Sequence, residues 1–400
     1  MSNVMDYIKW RGDIPFEACG LNEVDNLIFC LLSYVDFDGI LPDEKTTPMT
    51  IREAAKEYFF TRMPVKERPL GLIVPGEILR LFRAMADAPR YSNLRIYGYV
   101  NDVCEEQEMQ FSALTVKMTD DTYYVAFRGT DDTLVGWKED FNLSWMDGVP
   151  AQRMAAEYLD RLYEKIPAGA HLYVGGHSKG GNLAVWGAVH ARDEVRAQIV
   201  KVYSNDGPGF LKEMLESQAF QTMRPRIEAL IPQSSLVGLM LDHDEYHVIH
   251  SEGRGIFQHN GLSWAVMGSR FLREKSLSHR GKKNDTEVRE RIAGMSREEK
   301  RNFTKLFFQI LESTGARTLT ELNDDSLRNA VTMFRTMNDM DKENRETVLY
   351  LISVLFDLKP LVPVAARLPG KAERKLKVEF RWQWQRQWQR KEQRAKNNRG

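Results

Sequence analysis

Leu172-Tyr-Val-Gly-Gly-His-Ser-Lys-Gly-Gly-Asn-Leu-Ala-Val-Trp-Gly-Ala188 is the stretch that decides the fold. Ala170 to Val174 is short and apolar, as a buried strand is. Gly176-His177-Ser178-Lys179-Gly180 follows, and from Gly181 onward small and apolar residues continue as a helix able to pack closely on a sheet. A Gly-x-Ser-x-Gly pentapeptide sets its serine on a sharp strand-to-helix turn, where the flanking glycines let the backbone bend and leave Oγ exposed. Ser178 is therefore the candidate nucleophile. The bland alternative, a glycine-rich turn with an incidental serine, fits the strand before it and the small-residue helix after it less well.

The segments on either side fit a sheet built around that turn. Phe111 to Met118 and Thr122 to Phe127 alternate apolar and β-branched residues across a Thr-Asp-Asp turn and predict a hairpin. Gln152 to Lys165 has helical spacing at Met154, Tyr158 and Leu162. Strand-like runs recur at Gln198 to Tyr203, Arg226 to Ile231 and Tyr246 to His250, separated by helical or turn-rich sequence. Strands alternating with helices imply a largely parallel sheet and an α/β class.

The ends read differently. Residues 1–90 form short helices, with Asn22-x-x-Asp25 and Thr50-x-x-Glu53 as helix-start signatures and Pro75 opening a helix through Ala86. Trp10, Asp13 and Asn22 suggest caps and packing. Beyond about His279 the sequence is strand-poor: Ser296-x-x-Glu299 starts a stretch carrying Phe303, Leu306, Phe307, Ile310 and Leu311, and Asn344 to Leu358 is amphipathic. The expected organisation is a helical extension over 1–90, a core over 91–280, a helical subdomain over 281–360, and a linker with basic tail over 361–400.

Composition narrows the setting. Three cysteines without paired spacing suggest neither a disulfide framework nor a zinc cluster, and point to a reducing compartment. No basic region precedes an apolar one at the start, and no apolar run reaches a membrane span, so a cytoplasmic location is expected. The net charge of zero is unevenly spread, because residues 371–400 hold 11 Lys or Arg against 3 Asp or Glu. The acidic remainder is a poor surface for nucleic acid, which makes such a partner unlikely. In the tail, Leu376, Phe380, Trp384 and Trp388 recur every fourth residue among Arg and Lys. A solvated extension and an interfacial anchor on anionic lipid are both open, with nucleic acid a lesser option. An anchor would make the location peripheral at the membrane.

Phe127-Arg-Gly-Thr130, followed by Trp137 and Asp140, resembles the segment ahead of the nucleophile in the lipase class 3 group of α/β-hydrolases. Gly176-His-Ser-Lys-Gly-Gly181 resembles that group's elbow, with Lys179 where those lipases usually carry leucine. Lys at that place, followed by Gly-Gly-Asn-Leu-Ala, is closest to a bacterial family of lipase-like proteins. The closer resemblance extends to Trp10-Arg-Gly-Asp13, Asn22-Glu-Val-Asp25 and the region from Asp206 to Trp264. It implies an α/β-hydrolase fold with a mostly parallel mixed sheet, an N-terminal helical extension and a C-terminal helical subdomain. It further implies a serine esterase or lipase-like activity on a small-molecule or lipid ester or thioester.

Two N–H donors must meet the developing oxyanion. Lys179 supplies one from the residue after the nucleophile, and the resemblance assigns the other to Thr130, through its N–H and its hydroxyl. The Lys179 side chain is expected to be solvated at the helix start. The base should be a histidine downstream on a loop after a later strand. His259 follows the run Tyr246 to His250 and a flexible Ser-Glu-Gly-Arg-Gly, whereas His247 and His250 fall in that run, His171, His177 and His190 flank the elbow, and His279 sits in a basic linker.

The acid is the least determined member. Class 3 lipases place an Asp after the strand equivalent to Ile227 to Ile231, where this chain has Ser235. Asp206, one strand earlier in Ser204-Asn-Asp-Gly-Pro-Gly-Phe210, resembles the acid of pancreatic-type lipases; Asp242 and Asp244 remain rivals. Asp242-His243-Asp244-Glu245 reads as an acidic turn, because adjacent residues converge poorly on one ion, and neither a metal nor a cofactor is expected. A catalytically inactive hydrolase-fold binding or scaffold protein at the membrane surface is the alternative function.

Overall fold

The computed structural model describes residues 1–41, 48–62, 76–253, 255–279, 281–282, 295–324, 326–337 and 345. Of the amphipathic stretch Asn344 to Leu358 only Arg345 is described, and the basic tail over 371–400 and Pro75 lie outside the described residues. The chain divides into two compact units, residues 1–301 and 302–400.

The first unit is built on an eight-stranded sheet whose strands lie in chain order: β1 (Met49–Thr50), β2 (Arg95–Cys104), β3 (Met109–Lys117), β4 (Thr122–Phe127), β5 (His171–His177), β6 (Ile199–Asn205), β7 (Ile227–Pro232) and β8 (His247–Ile249). Strands β1 to β4 pair antiparallel and β4 to β8 pair parallel. A two-residue hairpin, β9 (Val266–Met267) and β10 (Arg270–Phe271), forms a separate small sheet. This mixed sheet, mostly parallel through the strands that carry the elbow, with helices on both faces, is an α/β-hydrolase fold.

The alternation along the central strands sends their side chains to two cores. Tyr124 and Ala126 of β4 and Leu114 and Val116 of β3 join the helices of the first ninety residues, α1 (Val4–Arg11), α2 (Glu23–Leu32), α3 (Ile51–Thr61), α4 (Ile78–Asp87) and α5 (Pro89–Ser92). Val125 and Phe127 of β4 and Phe111 and Ala113 of β3 face the opposite way, with residues of the later helices α7 (Pro150–Tyr163), α8 (Lys179–His190) and α11 (Gln218–Met223). Between these lie the smaller helices α6 (Leu134–Asn142), α9 (Asp193–Gln198) and α10 (Lys212–Leu215). The N-terminal helices are thus part of the core. All ten residues of α2 are buried, which requires its polar members to be paired.

They are paired. Asn22 caps α2 by accepting from the N–H groups of Val24 and Asp25. Asp25 takes Arg90 at 2.9 and 2.6 Å on its two oxygens and Tyr91 Oη at 2.7 Å. The remaining Arg90 donors reach the carbonyls of Ile14, Cys19 and Gly20 at 2.7 to 3.0 Å. With every N–H of the guanidinium used, a wholly buried charge pair is tolerated here.

In the second unit, Phe303, Phe307, Ile310 and Leu311 of the helix Arg297–Glu312 are buried and Leu306 is half-buried, as the helical spacing predicts. Two further helices, Leu319–Asp324 and Ser326–Met337, follow. No helix among the described residues is long and apolar enough to cross a membrane.

Candidate active site

Strand β5 ends at His177, helix α8 begins at Lys179, and Ser178 between them has φ 60° and ψ −135°. That conformation is rare for a residue with a side chain and carries a strain cost of about 1–3 kcal/mol. The two glycines explain why it can form. A Cβ on Gly176 would lie 2.0 Å from the carbonyl group of Gly180, and one on Gly180 would lie 2.1 Å from the Phe127 carbonyl oxygen. Strand and helix therefore meet closer than any side chain allows, and Ser178 is held by its N–H on the Asn205 carbonyl at 3.0 Å.

His259 and Asp206 meet at this end of the sheet. His259 Nδ1 lies 2.7 Å from Asp206 Oδ2, with the carboxylate fully buried. A carboxylate can only accept, so Nδ1 carries a proton, and in the neutral imidazole this leaves the lone pair on Nε2. The His259 ring packs on that of His177, centroids 4.5 Å apart, beside the serine in the chain. The His259 loop is pinned further by Gln258, whose carbonyl accepts Trp264 Nε1 at 2.9 Å and whose Oε1 accepts the Ser234 N–H at 2.8 Å.

Asp206, directly after β6, also has a positive φ of 52°. Its Oδ1 accepts Ser235 Oγ at 2.5 Å, and a Cβ on Gly238 would lie 2.2 Å from that oxygen, so the loop after β7 closes tightly over Asp206. Of the rival carboxylates, Asp244 is ion-paired with Arg224 at 2.5 Å, and the Asp242 backbone bridges to Phe210. Among the described residues no three His, Cys, Asp or Glu side chains are grouped to hold a metal ion.

Lys179 N–H stands at the first position of α8, where helical geometry leaves it without an intrahelical partner and the helix dipole favours negative charge. The expectation of a solvated Lys179 side chain is corrected: it is fully buried, because its Nζ finds Glu139 Oε2 at 2.9 Å, and the carbonyl and Oε1 of Gln110 at 2.8 Å each. Glu139 also accepts the N–H groups of Gln110 at 3.0 Å and Ala151 at 2.8 Å. All three ammonium protons are used, and the side chain ties the start of α8 to β3 and α6.

Thr130, on the loop after β4, is buried, and its Oγ1 donates to Asp140 Oδ2 at 2.5 Å. Burial pushes the Asp140 carboxyl up to about 6, against the opposing pull of the Lys179 ammonium and the Thr130 hydroxyl. With the hydroxyl proton committed to Asp140, the backbone N–H is the group Thr130 has to offer an oxyanion.

Beneath the elbow, Asn205 and Asn26 of α2 exchange amide hydrogen bonds at 3.0 and 3.2 Å, and Asn205 Nδ2 also reaches the Gly176 carbonyl at 3.0 Å. Tyr124 Oη donates to Asn26 Oδ1 at 2.6 Å. Sequence reasoning missed Asn26, Asn205, Glu139 and Gln110, whose partners named here lie 12 to 179 residues away.

A family model described as Mbeg1-like matches residues 85–309, more than half of the chain. No curated protein is similar enough to match. Among solved structures, the native Rhizomucor miehei lipase propeptide complex is 16% identical, with 42% of this chain and 58% of that chain covered and a TM-score of 0.29. The crystal structure of M37 lipase is 16% identical, with 54% and 68% covered and a TM-score of 0.34. The chain thus spans less than two thirds of the length of the Rhizomucor miehei lipase chain. The fold assignment rests on the sheet and the elbow rather than on these partial superpositions.

Proposed function

We propose that this chain, which belongs to the Mbeg1-like family, is a serine hydrolase cleaving an ester or thioester of a lipophilic acyl group. Within that family we read it as closest to the bacterial lipase-like proteins with the Gly-His-Ser-Lys-Gly-Gly-Asn elbow. The reading is carried by one observation, the 2.7 Å contact between His259 Nδ1 and Asp206, on a histidine packed against the residue before a strained serine.

In this mechanism His259 Nε2 takes the Ser178 Oγ proton as Oγ attacks the acyl carbon, and Asp206 stabilises the imidazolium without taking the proton. The N–H groups of Lys179 and Thr130 receive the oxyanion. Collapse expels the alcohol or thiol, which leaves with the proton from His259, and the acyl group stays on Oγ. Water, deprotonated by His259, then attacks the acyl-enzyme and releases the acid. The buried Lys179 to Glu139 pair keeps one oxyanion donor fixed relative to the loop that carries the other.

The test is a panel of p-nitrophenyl esters of increasing chain length, with acyl-CoA thioesters alongside, on the wild type and Ser178→Ala. Hydrolysis by the wild type and none by a folded Ser178→Ala variant is expected. A wild type inert to the whole panel would favour a binding or scaffold role.

A further inference from the structure

We infer that Tyr34, which follows α2 and lies ahead of the region matched by the family model, is a positioning residue of the hydrolytic site, its phenol tying the oxyanion loop to the loop of the base. The inference rests on the serine-hydrolase reading above.

The proton positions follow from the acceptors. His177 Nε2 lies 2.7 Å from the His259 carbonyl oxygen, which can only accept, so Nε2 carries hydrogen. Burial, reinforced by the neighbouring His259, holds His177 well below the usual histidine range, so the ring is neutral and Nδ1 is an acceptor. Tyr34 Oη, 3.0 Å from Nδ1, must therefore donate there. Its one proton is then used, and its 3.4 Å approach to the His177 carbonyl is only a contact. The phenol oxygen in turn packs against Gly129, the residue before Thr130, so closely that a Cβ there would meet it.

Two hydrogen bonds thus run in one direction, from Tyr34 to His177 and from His177 to the His259 carbonyl, with Gly129 packed on the phenol oxygen at their start. The loop of Gly129 and Thr130, the residue before the serine and the loop of His259 are thereby joined through one buried set of contacts. The contact admits little play, since a Cβ on Gly129 would lie 2.2 Å from Tyr34 Oη, 2.5 Å from the His177 carbonyl oxygen and 2.9 Å from Ser178 Cβ. Tyr34 touches no reacting atom in this scheme. It fixes groups that do, and misplacement of such groups by an ångström can cost on the order of 100-fold in rate.

The test uses the full chain, a p-nitrophenyl ester, and wild type, Ser178→Ala, Tyr34→Phe, His177→Phe and the Tyr34→Phe/His177→Phe double variant. Tyr34→Phe keeps the ring and its edge contact with His177, and is expected to lower kcat about 10- to 100-fold with KM within about 2-fold. His177→Phe should do the same, and in that background Tyr34→Phe should change kcat by less than about 2-fold, because the connection is already cut. A Tyr34→Phe kcat within about 2-fold of wild type, or full multiplication of the two effects, overturns the inference. Should Tyr34→Phe fail to fold, His177→Phe alone decides, and a retained kcat overturns it. A wild type without activity would remove the serine-hydrolase reading and this inference with it, whereas an active wild type, a dead Ser178→Ala and an unimpaired Tyr34→Phe would remove this inference alone.

Discussion

Ser235 Oγ donates to Asp206 Oδ1 at 2.5 Å, so a serine on the loop after β7 serves as a hydrogen-bond donor to a carboxylate at the end of the preceding strand. The donor and the Gly238 backbone together leave Asp206 Oδ2 aimed at His259.

Asp206→Asn preserves this packing but favours the wrong imidazole tautomer, so kcat should fall by up to ~10⁴-fold while the fold survives. Asp242→Asn and Asp244→Asn should each stay within a few-fold of wild type. Ester kinetics on the three purified variants check this, and a large loss in Asp244→Asn with an active Asp206→Asn would move the acid.

Lys179→Met should cost about 3–5 kcal/mol, because it leaves Glu139 buried without its cation. Lys179→Met combined with Glu139→Gln should recover part of that loss, since the stranded charge is then gone. Urea unfolding of the single and double variants measures both. A Lys179→Met stability equal to wild type would mean the pair contributes nothing to holding the elbow.

Asp140 provides a pH signature. Its carboxyl is raised from 3.8 to about 6 by burial, so the folded protein keeps this proton where the unfolded chain has released it. The stabilising contribution is complete below the unfolded value and is lost as pH rises through about 6. Asp140→Asn does not titrate and keeps an oxygen for Thr130. The Tm of Asp140→Asn minus that of wild type should therefore grow from pH 4 to pH 8. Parallel Tm curves would contradict the burial argument.

For the tail, which lies outside the described residues, we propose from its sequence that it binds anionic lipid. Truncation after Gly370 should abolish sedimentation with phosphatidylserine-containing vesicles, and binding by the full chain should weaken as salt rises. Equal sedimentation of both chains would reject the proposal.

The legible parts of this protein were those set by local pattern. The hairpin of β3 and β4 follows from alternation on either side of a short turn, and the elbow from glycines whose missing Cβ atoms the strand-helix crossing requires. His259 and Asp206, which position after a strand and, for Asp206, resemblance single out in the sequence, lie 2.7 Å apart in the structure. Lys179 defeated the local reading because lysine at a helix start is ordinarily solvated, and its partners Gln110 and Glu139 are 69 and 40 residues away. Tyr34 and His177, 143 residues apart, gave no local signal for the same reason. The two-residue strands β1, β9 and β10 are too short to carry a periodicity.

Ser178 Oγ as the nucleophile is tested by intact-mass and peptide mapping after treatment with a fluorophosphonate. One covalent adduct on the peptide containing Ser178 in the wild type, slowed about 10³-fold or more in His259→Ala and missing from folded Ser178→Ala, is the expected result. An unmodified wild type, or equal modification of the Ser178→Ala variant, would mean that Ser178 is not the nucleophile.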